Sequence, residues 1–151
     1  MTRESYGWQL YCHQLFKAKL DALESEVEEL KSKLPKEDFI KHPEAKKLKI
    51  LSETVIQKVP QDPASPNYRA SNILKKHKDW RRVKNSPAPR YRLFFKFFKM
   101  KSSIFYGWFN DESCIRKAGD QRDVYKVFHA LLESGKIPSD YSRLKNGSCD
   151  L

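Results

Sequence analysis

Between residues 69 and 101 the chain carries twelve Lys and Arg and one acidic residue, Asp79. That stretch holds a charge of +11, which is the net charge of all 151 residues. A basic field so concentrated attracts polyanions, and nucleic acid is the commonest. Solvated surfaces usually mix both signs, so the near absence of acids here argues for a bound anion. The cations also alternate. Trp80, Arg82 and Lys84 share one side of a short strand, and Arg90, Arg92 and Lys96 share one side of the next. Arginine forks on such a face bind phosphates, and aromatic rings beside them stack on unpaired bases.

Binding alone is not catalysis. A nuclease that works without metal must activate a 2′-hydroxyl, stabilise the crowded phosphate and protonate the leaving 5′-oxygen. Cations supply the second task, and such charge stabilisation often lowers the barrier most. Proton transfer needs a group near neutral pKa, and a lysine among other cations has its charged form disfavoured. The four histidines, His13, His42, His77 and His129, show no pairing in sequence and read as structural or solvent-facing. His77 stands out because it lies in the basic stretch. Asn110-Asp111-Glu112 offers two adjacent carboxylates that can bind a metal, act as a base or cap a turn. No His or third acid stands at a helpful spacing, so capping or a salt bridge to Arg90 or Arg116 is preferred and no metal is expected. Gly-rich phosphate loops, GxSxG and Cys–His nucleophile pairs are absent.

These residues need a scaffold. Residues 8–13 alternate in polarity like a strand. Phe16, Leu20, Leu23, Val27, Leu30 and Leu34 form one stripe of a helix over 14–34, with an acidic outer face and Pro35 as its stop. A second helix begins near His42-Pro43, with Leu48, Leu51, Val55 and Val59 as its apolar face. Pro60, Pro63 and Pro66 are expected to close it and form a stiff connector. Then come three strands, 80–84, 90–98 and 103–109, the last apolar on both faces as a central strand should be. A helix from Asp123 to Ser134, stopped by Gly135, follows. The order predicts an α+β fold: an antiparallel sheet of about four strands, two N-terminal helices and one C-terminal helix, with the helices on one face.

Length fits one domain over 1–151, with 142–151 a loosely held tail. At 39% hydrophobic and 13% aromatic, the chain can build a core. No stretch approaches the roughly 20 apolar residues of a membrane span, and no secretory signal is visible. Cys12, Cys114 and Cys149 lie far apart, so a disulfide scaffold or zinc ribbon is not expected and a reducing cytoplasm fits.

The motifs together resemble a known family. Gly7-Trp8, Leu10-Tyr11, Phe16, Asp21-Ala22-Leu23 and Glu26-Val27-Glu28 are similar to the N-terminal part of YhaV toxins. So are Lys78-Asp79-Trp80, Arg82-Val83-Lys84 and Arg90 to Phe95, then Gly107-Trp108, Asn110-Asp111-Glu112, Arg116, Gly119, Asp123, Tyr125, Val127 and Phe128. The resemblance runs from about Tyr6 to Leu144. It implies a RelE-like toxin of a type II toxin–antitoxin system, in the RelE/ParE superfamily, that cleaves mRNA on the ribosome and arrests growth. It further implies 2′-hydroxyl attack without metal or cofactor. The implied partner is a PrlF-type antitoxin, which neutralises the toxin and alone carries the contact with operator DNA.

By position within that pattern, Arg82 and Lys84 look like a proton-transfer or phosphate-stabilising pair. Arg92 and Arg116 look like stabilisers of the transition-state phosphate. Tyr125 would stack on a base or orient the nucleotide, or else belong to the core. Lys78, Arg81, Arg90 and Lys96 are read as RNA-binding, with Arg90 also able to pair with Asp111. Two features depart from the family: the proline-rich turn Ser86-Pro87-Ala88-Pro89 replaces a glycine-containing one, and the chain between Trp108 and Tyr125 is long. The competing readings are a ParE-like gyrase inhibitor without nuclease activity and a plain RNA-binding module. Arg82, Lys84 and Arg92 on one face favour the nuclease.

Overall fold

The computed structural model describes residues 3–112, 114 and 116–151, with the backbone alone for 71–73. A hairpin of β1 (Arg3–Ser5) and β2 (Trp8–His13) opens the chain. The long helix α1 (Gln14–Lys33) follows at once, because the His13 ring caps it: Nδ1 accepts from the Leu15 amide at 3.1 Å. Burial pushes the His13 pKa down, against a hydrogen bond with the Lys136 backbone, which favours the neutral ring that such a cap needs. Of the predicted stripe, Phe16, Leu23 and Val27 are buried.

A short helix α2 (Lys36–Lys41) precedes α3 (Pro43–Glu53), which starts at the expected proline with the His42 ring as its cap. The helical run ends within the expected proline segment, at Gln61, one residue past Pro60. The chain passes through a π-helical turn (Thr54–Lys58) into α4 (Val59–Gln61), so Pro60 lies inside helix. Pro60 has no N–H to give, and the wide turn frees carbonyls for outside donors. The Tyr106 hydroxyl donates to the Val55 carbonyl at 2.6 Å and the Ser5 hydroxyl to the Ile56 carbonyl.

Among the described residues the sheet has six strands and is mixed, where an antiparallel one of about four was expected. β3 (Arg81–Lys84), β4 (Arg92–Phe98) and β5 (Ser103–Phe109) form the predicted antiparallel meander. β2 then lies parallel to β5. Its other edge is shared by β1 and by a C-terminal strand, β6 (Ser148–Asp150). The expected loose tail is instead built in. After α5 (Val124–Glu133), it forms α6 (Tyr141–Asn146) and β6; α6 buries Leu144, and β6 pairs with β2.

Helices cover both faces of the sheet, not one. Leu93, Phe95, Ile104 and Tyr106 pack under α1 and α3. Phe94, Phe105 and Trp108 pack under α5, with Trp80 and Leu144 beside them. This explains why every residue of β5 is buried. Opposite Phe94 and Phe95 the β5 register slips past Gly107, and a Cβ there would stand 2.8 Å from the Trp80 ring. Only glycine lets the indole lie on that strand.

Candidate active site

Where β3 finishes and β4 begins, Lys84 is exposed and Arg82 and Arg92 are half-buried. In register, Lys84 stands opposite Arg92 and Arg82 opposite Phe94, so the strand alternation puts Arg82, Lys84 and Arg92 on one side. Phe94 is buried beneath α5, with its ring stacked on Phe128 at 4.0 Å. That stack fixes the first turn of α5 over the arginines.

Tyr125 sits in that turn. Its hydroxyl oxygen accepts from Arg82 Nε and from Arg92 Nε, each at 3.1 Å. The Arg116 guanidinium lies 4.9 Å from the same ring. Three arginines from β3, β4 and the loop after β5 therefore meet around one phenol. Three roles were expected for Tyr125: stacking on a base, orienting the nucleotide, or belonging to the core. Tyr125 is 3% exposed, with Arg116 over its ring and Phe94 edge-on against it, so its ring is packed into the fold. Its hydroxyl is the acceptor that Arg82 and Arg92 share.

Two buried residues hold the cluster, and neither has a predicted role in it. Asp123 is the N-cap of α5, and Oδ2 accepts from the Tyr125 amide at 3.1 Å. Its Oδ1 accepts from Arg116 Nη1 at 2.9 Å and from the Lys117 amide at 2.6 Å. One carboxylate thus aims both Tyr125 and Arg116. The signal in the sequence is an Asp directly before an apolar helix stripe. Asn110 is fully buried; its side chain accepts from the Arg92 amide at 2.8 Å and donates to the Cys114 carbonyl at 2.6 Å. A buried amide spanning two segments leaves no mark in a single sequence beyond its polarity.

The guanidinium groups keep donors to spare. Arg82 spends Nε on Tyr125 and Nη1 on the Asn67 carbonyl, and Arg92 spends Nε on Tyr125 and Nη1 on the Tyr91 carbonyl. Arg116 spends Nη1 on Asp123. Each group has five N–H donors, and most of them make no hydrogen bond among the described residues. Lys84 is exposed beside them. Arg90 lies at the margin: its Nε donates to the Arg116 carbonyl at 3.0 Å, and the Arg116 amide returns a bond to the Arg90 carbonyl at 2.8 Å.

Other predicted residues lie elsewhere. Lys96 shares the face but is separated by the Phe94–Phe128 stack. It donates to the Ser139 carbonyl at 2.7 Å, and burial lowers its pKa. Arg81 points to the opposite face, over the Phe97 ring, and donates to the Ser65 carbonyl. Lys78 is exposed on the turn before β3. Asp111 meets Lys19 of α1 at 3.1 Å and Glu112 meets Lys47 of α3 at 3.3 Å, so these acids brace the N-terminal helices. The histidines are not all unpaired, as expected from sequence: the His77 and His129 rings lie 5.5 Å apart beside Glu133. The proline-rich turn is packed down, with Ser86 buried and bonded to Thr54.

A cleft of about 430 Å³ lies on the other face between α1, α3 and the strand ends, and includes Lys19, Lys47 and Tyr91. That cleft does not include Arg82, Arg92 or Arg116. No helix among the described residues is long and apolar enough to cross a membrane.

Comparison with known proteins gives a coherent result. A family profile described as a toxin with endonuclease activity, of a toxin–antitoxin system, named Toxin_YhaV, matches residues 10–148. The ribonuclease toxin YhaV of Escherichia coli K12 is 39% identical over 140 residues, 91% of this chain and 90% of that protein. Toxin YhaV of Escherichia coli O157:H7 matches to the same extent. No solved structure matches significantly.

Proposed function

We propose, from the fact that the chain belongs to the YhaV family of toxins with endonuclease activity, that its substrate is mRNA and that Arg82, Arg92 and Arg116 hold the scissile phosphate. The family's endonuclease activity sets aside the gyrase-inhibitor and plain RNA-binding readings. The carrying observation is the convergence of Arg82 and Arg92 on the Tyr125 hydroxyl, with Arg116 over the ring.

The reaction is an in-line attack of the 2′-hydroxyl on the adjacent phosphorus. The O2′–P bond forms and the P–O5′ bond breaks. The products are a 2′,3′-cyclic phosphate and a 5′-hydroxyl; the 2′ proton goes to a base and the 5′-oxygen takes one from an acid. The free guanidinium donors meet the added negative charge on the non-bridging oxygens. Because Tyr125 and Asp123 lock the forks in advance, little reorganisation is needed as that charge develops. Lys84, exposed opposite Arg92, is the protein group best placed to take part in proton transfer.

No imidazole stands in the cluster: His13 and His42 cap helices, and His77 and His129 lie with Glu133. A site with strong charge stabilisation but so little acid–base equipment depends on a substrate held in the attack geometry. That supports cleavage of mRNA presented by the ribosome, in the cytoplasm. The antitoxin of the system is proposed to be of the PrlF type, carrying the contact with operator DNA.

The test is cleavage of a reporter mRNA by the purified protein, with and without translating ribosomes. Cuts bearing 2′,3′-cyclic phosphate ends, dependent on translation and lost in Arg92→Ala, are expected. Products with 5′-phosphate ends would reject the 2′-hydroxyl mechanism, and equal cutting of naked mRNA would reject ribosome dependence.

A further inference from the structure

We propose that His77, His129 and Glu133 bind one divalent transition-metal ion, zinc being the best fit, and that the ion clamps α5 to the segment leading into β3. The three ligand atoms lie within 4.8 Å of one another. Glu133 Oε1 stands 3.0 Å from His77 Nε2 and 3.4 Å from His129 Nε2. Around tetrahedral zinc with bonds of about 2.0–2.2 Å, neighbouring ligand atoms lie about 3.3–3.6 Å apart. The side chains are therefore already gathered at nearly the spacing an ion would impose.

A second observation points the same way. His129 Nε2 is buried and makes no hydrogen bond among the described residues: Glu133 is close enough for an ion pair but not aligned for one. Buried polar atoms left this way are uncommon. A metal would take the lone pair that the protein leaves unused. His129 and Glu133 are four residues apart on α5 and so share one side of the helix, while His77 reaches in from the other element. Two imidazoles and one carboxylate suit zinc, cobalt or nickel rather than magnesium or calcium. Lys76 Nζ lies 3.3 Å from Glu133 Oε2, on the carboxylate's outer oxygen. It leaves Oε1 facing the imidazoles and steadies the carboxylate as an outer partner.

The position decides the consequence. Tyr125 is one helical turn before His129 on the same side of α5, and its phenol gathers Arg82 and Arg92. An ion at this place ties that helix to the chain that enters β3. It sits apart from the arginines, so its effect falls on the rigidity of the platform and not on the reacting atoms. The nuclease reading does not depend on it.

The experiment uses the full chain without an oligohistidine tag. Cobalt is titrated in and followed by its visible d–d absorption; zinc is then added as competitor, and thermal unfolding is recorded with and without zinc. One equivalent of cobalt, displaced by zinc, and an unfolding midpoint that rises with zinc concentration are expected. His77→Gln and Glu133→Gln, at sites that retain solvent contact, should each weaken binding by at least about tenfold, the scale reached even by outer-shell losses. His129→Ala should do the same where it folds. No cobalt signal from folded protein would overturn the proposal. So would binding unchanged in both Gln variants, since the ion would then sit elsewhere, such as at Cys12 and Cys149, whose sulfurs lie 3.7 Å apart.

Discussion

Arg81 and Arg82 are neighbours on β3, yet they serve opposite faces of the sheet. Arg81 lies over the Phe97 ring on the side covered by α1 and α3, donates to the Ser65 carbonyl, and has its pKa lowered by burial and by nearby Arg69. Arg82 lies on the α5 side, where Arg92 and Arg116 gather around Tyr125. The first guanidinium covers apolar surface; the second is held in place with donors to spare. Charge alone does not mark a site. What separates the two arginines is convergence: Arg82 shares an acceptor with Arg92, and Arg81 does not.

The sharpest way to break this comparison is to remove each arginine in turn. Arg92→Ala or Arg82→Ala should lower the mRNA cleavage rate by about 10²–10³, the usual loss when one preorganised donor to a developing anion is removed. Their unfolding midpoints should barely move. Arg81→Ala should do the reverse: cleavage within about threefold of the parent, and a stability loss of roughly 1 kcal/mol from lost stem packing and cation–π contact. If Arg81→Ala cripples cleavage as severely as Arg82→Ala, the two faces are not divided as described.

The next largest effect concerns the floor beneath the cluster. Gly107→Ala would set a methyl group 2.8 Å from the Trp80 ring, which is fully buried. A loss of about 1–3 kcal/mol in denaturant unfolding is expected, as for other overpacked cores. Cleavage measured well below the midpoint should change less than in Arg92→Ala. A neutral Gly107→Ala would mean that the indole does not lie on the strand.

Much of this floor is legible in the sequence, and the reasons are local. The alternation of Arg82, Lys84 and Arg92 survives because a strand has period two whatever covers it. Likewise the doubly apolar run 103–109 announces a central strand. What escapes is decided by distant partners. Pro60 reads as a helix stop, and only distant donors, Ser5 and Tyr106, show how the helix carries through it to Gln61. The tail reads as polar and loose because β6 depends on an open edge of β2. Asp123 reads as a cap; that it also aims Arg116 depends on how the loop folds back.

Tyr125→Phe sharpens the comparison more gently. It keeps the ring against Phe94 and Arg116 and removes only the oxygen that receives Arg82 and Arg92. The arginines stay but lose their common stop. A fall of about tenfold in cleavage, with little loss of fold, is expected where charge remains and orientation loosens. A Tyr125→Phe variant as inactive as Arg92→Ala would promote the hydroxyl from positioning the arginines to acting on the substrate.

The smallest effect tests the closed face through pH. Arginines keep their charge across the physiological range, whereas α1 is capped by the neutral ring of His13, whose pKa burial pushes below its ordinary 6.5. The sign follows from proton binding. As pH falls below 6.5, the unfolded chain takes a proton that the native His13 resists, so stability is lost. Well above 6.5 both forms are neutral and the contribution is complete. One such group sets a slope of at most about 1.4 kcal/mol per pH unit, and only between the native and unfolded pKa values. His13→Asn retains a side-chain acceptor for the Leu15 amide but cannot titrate. The difference in unfolding free energy between parent and His13→Asn should therefore be flat above about pH 7 and shift against the parent below it. A difference flat down to about pH 5 would mean that α1 is not held by a neutral imidazole, and that the closed face is as indifferent to acid as the arginine cluster.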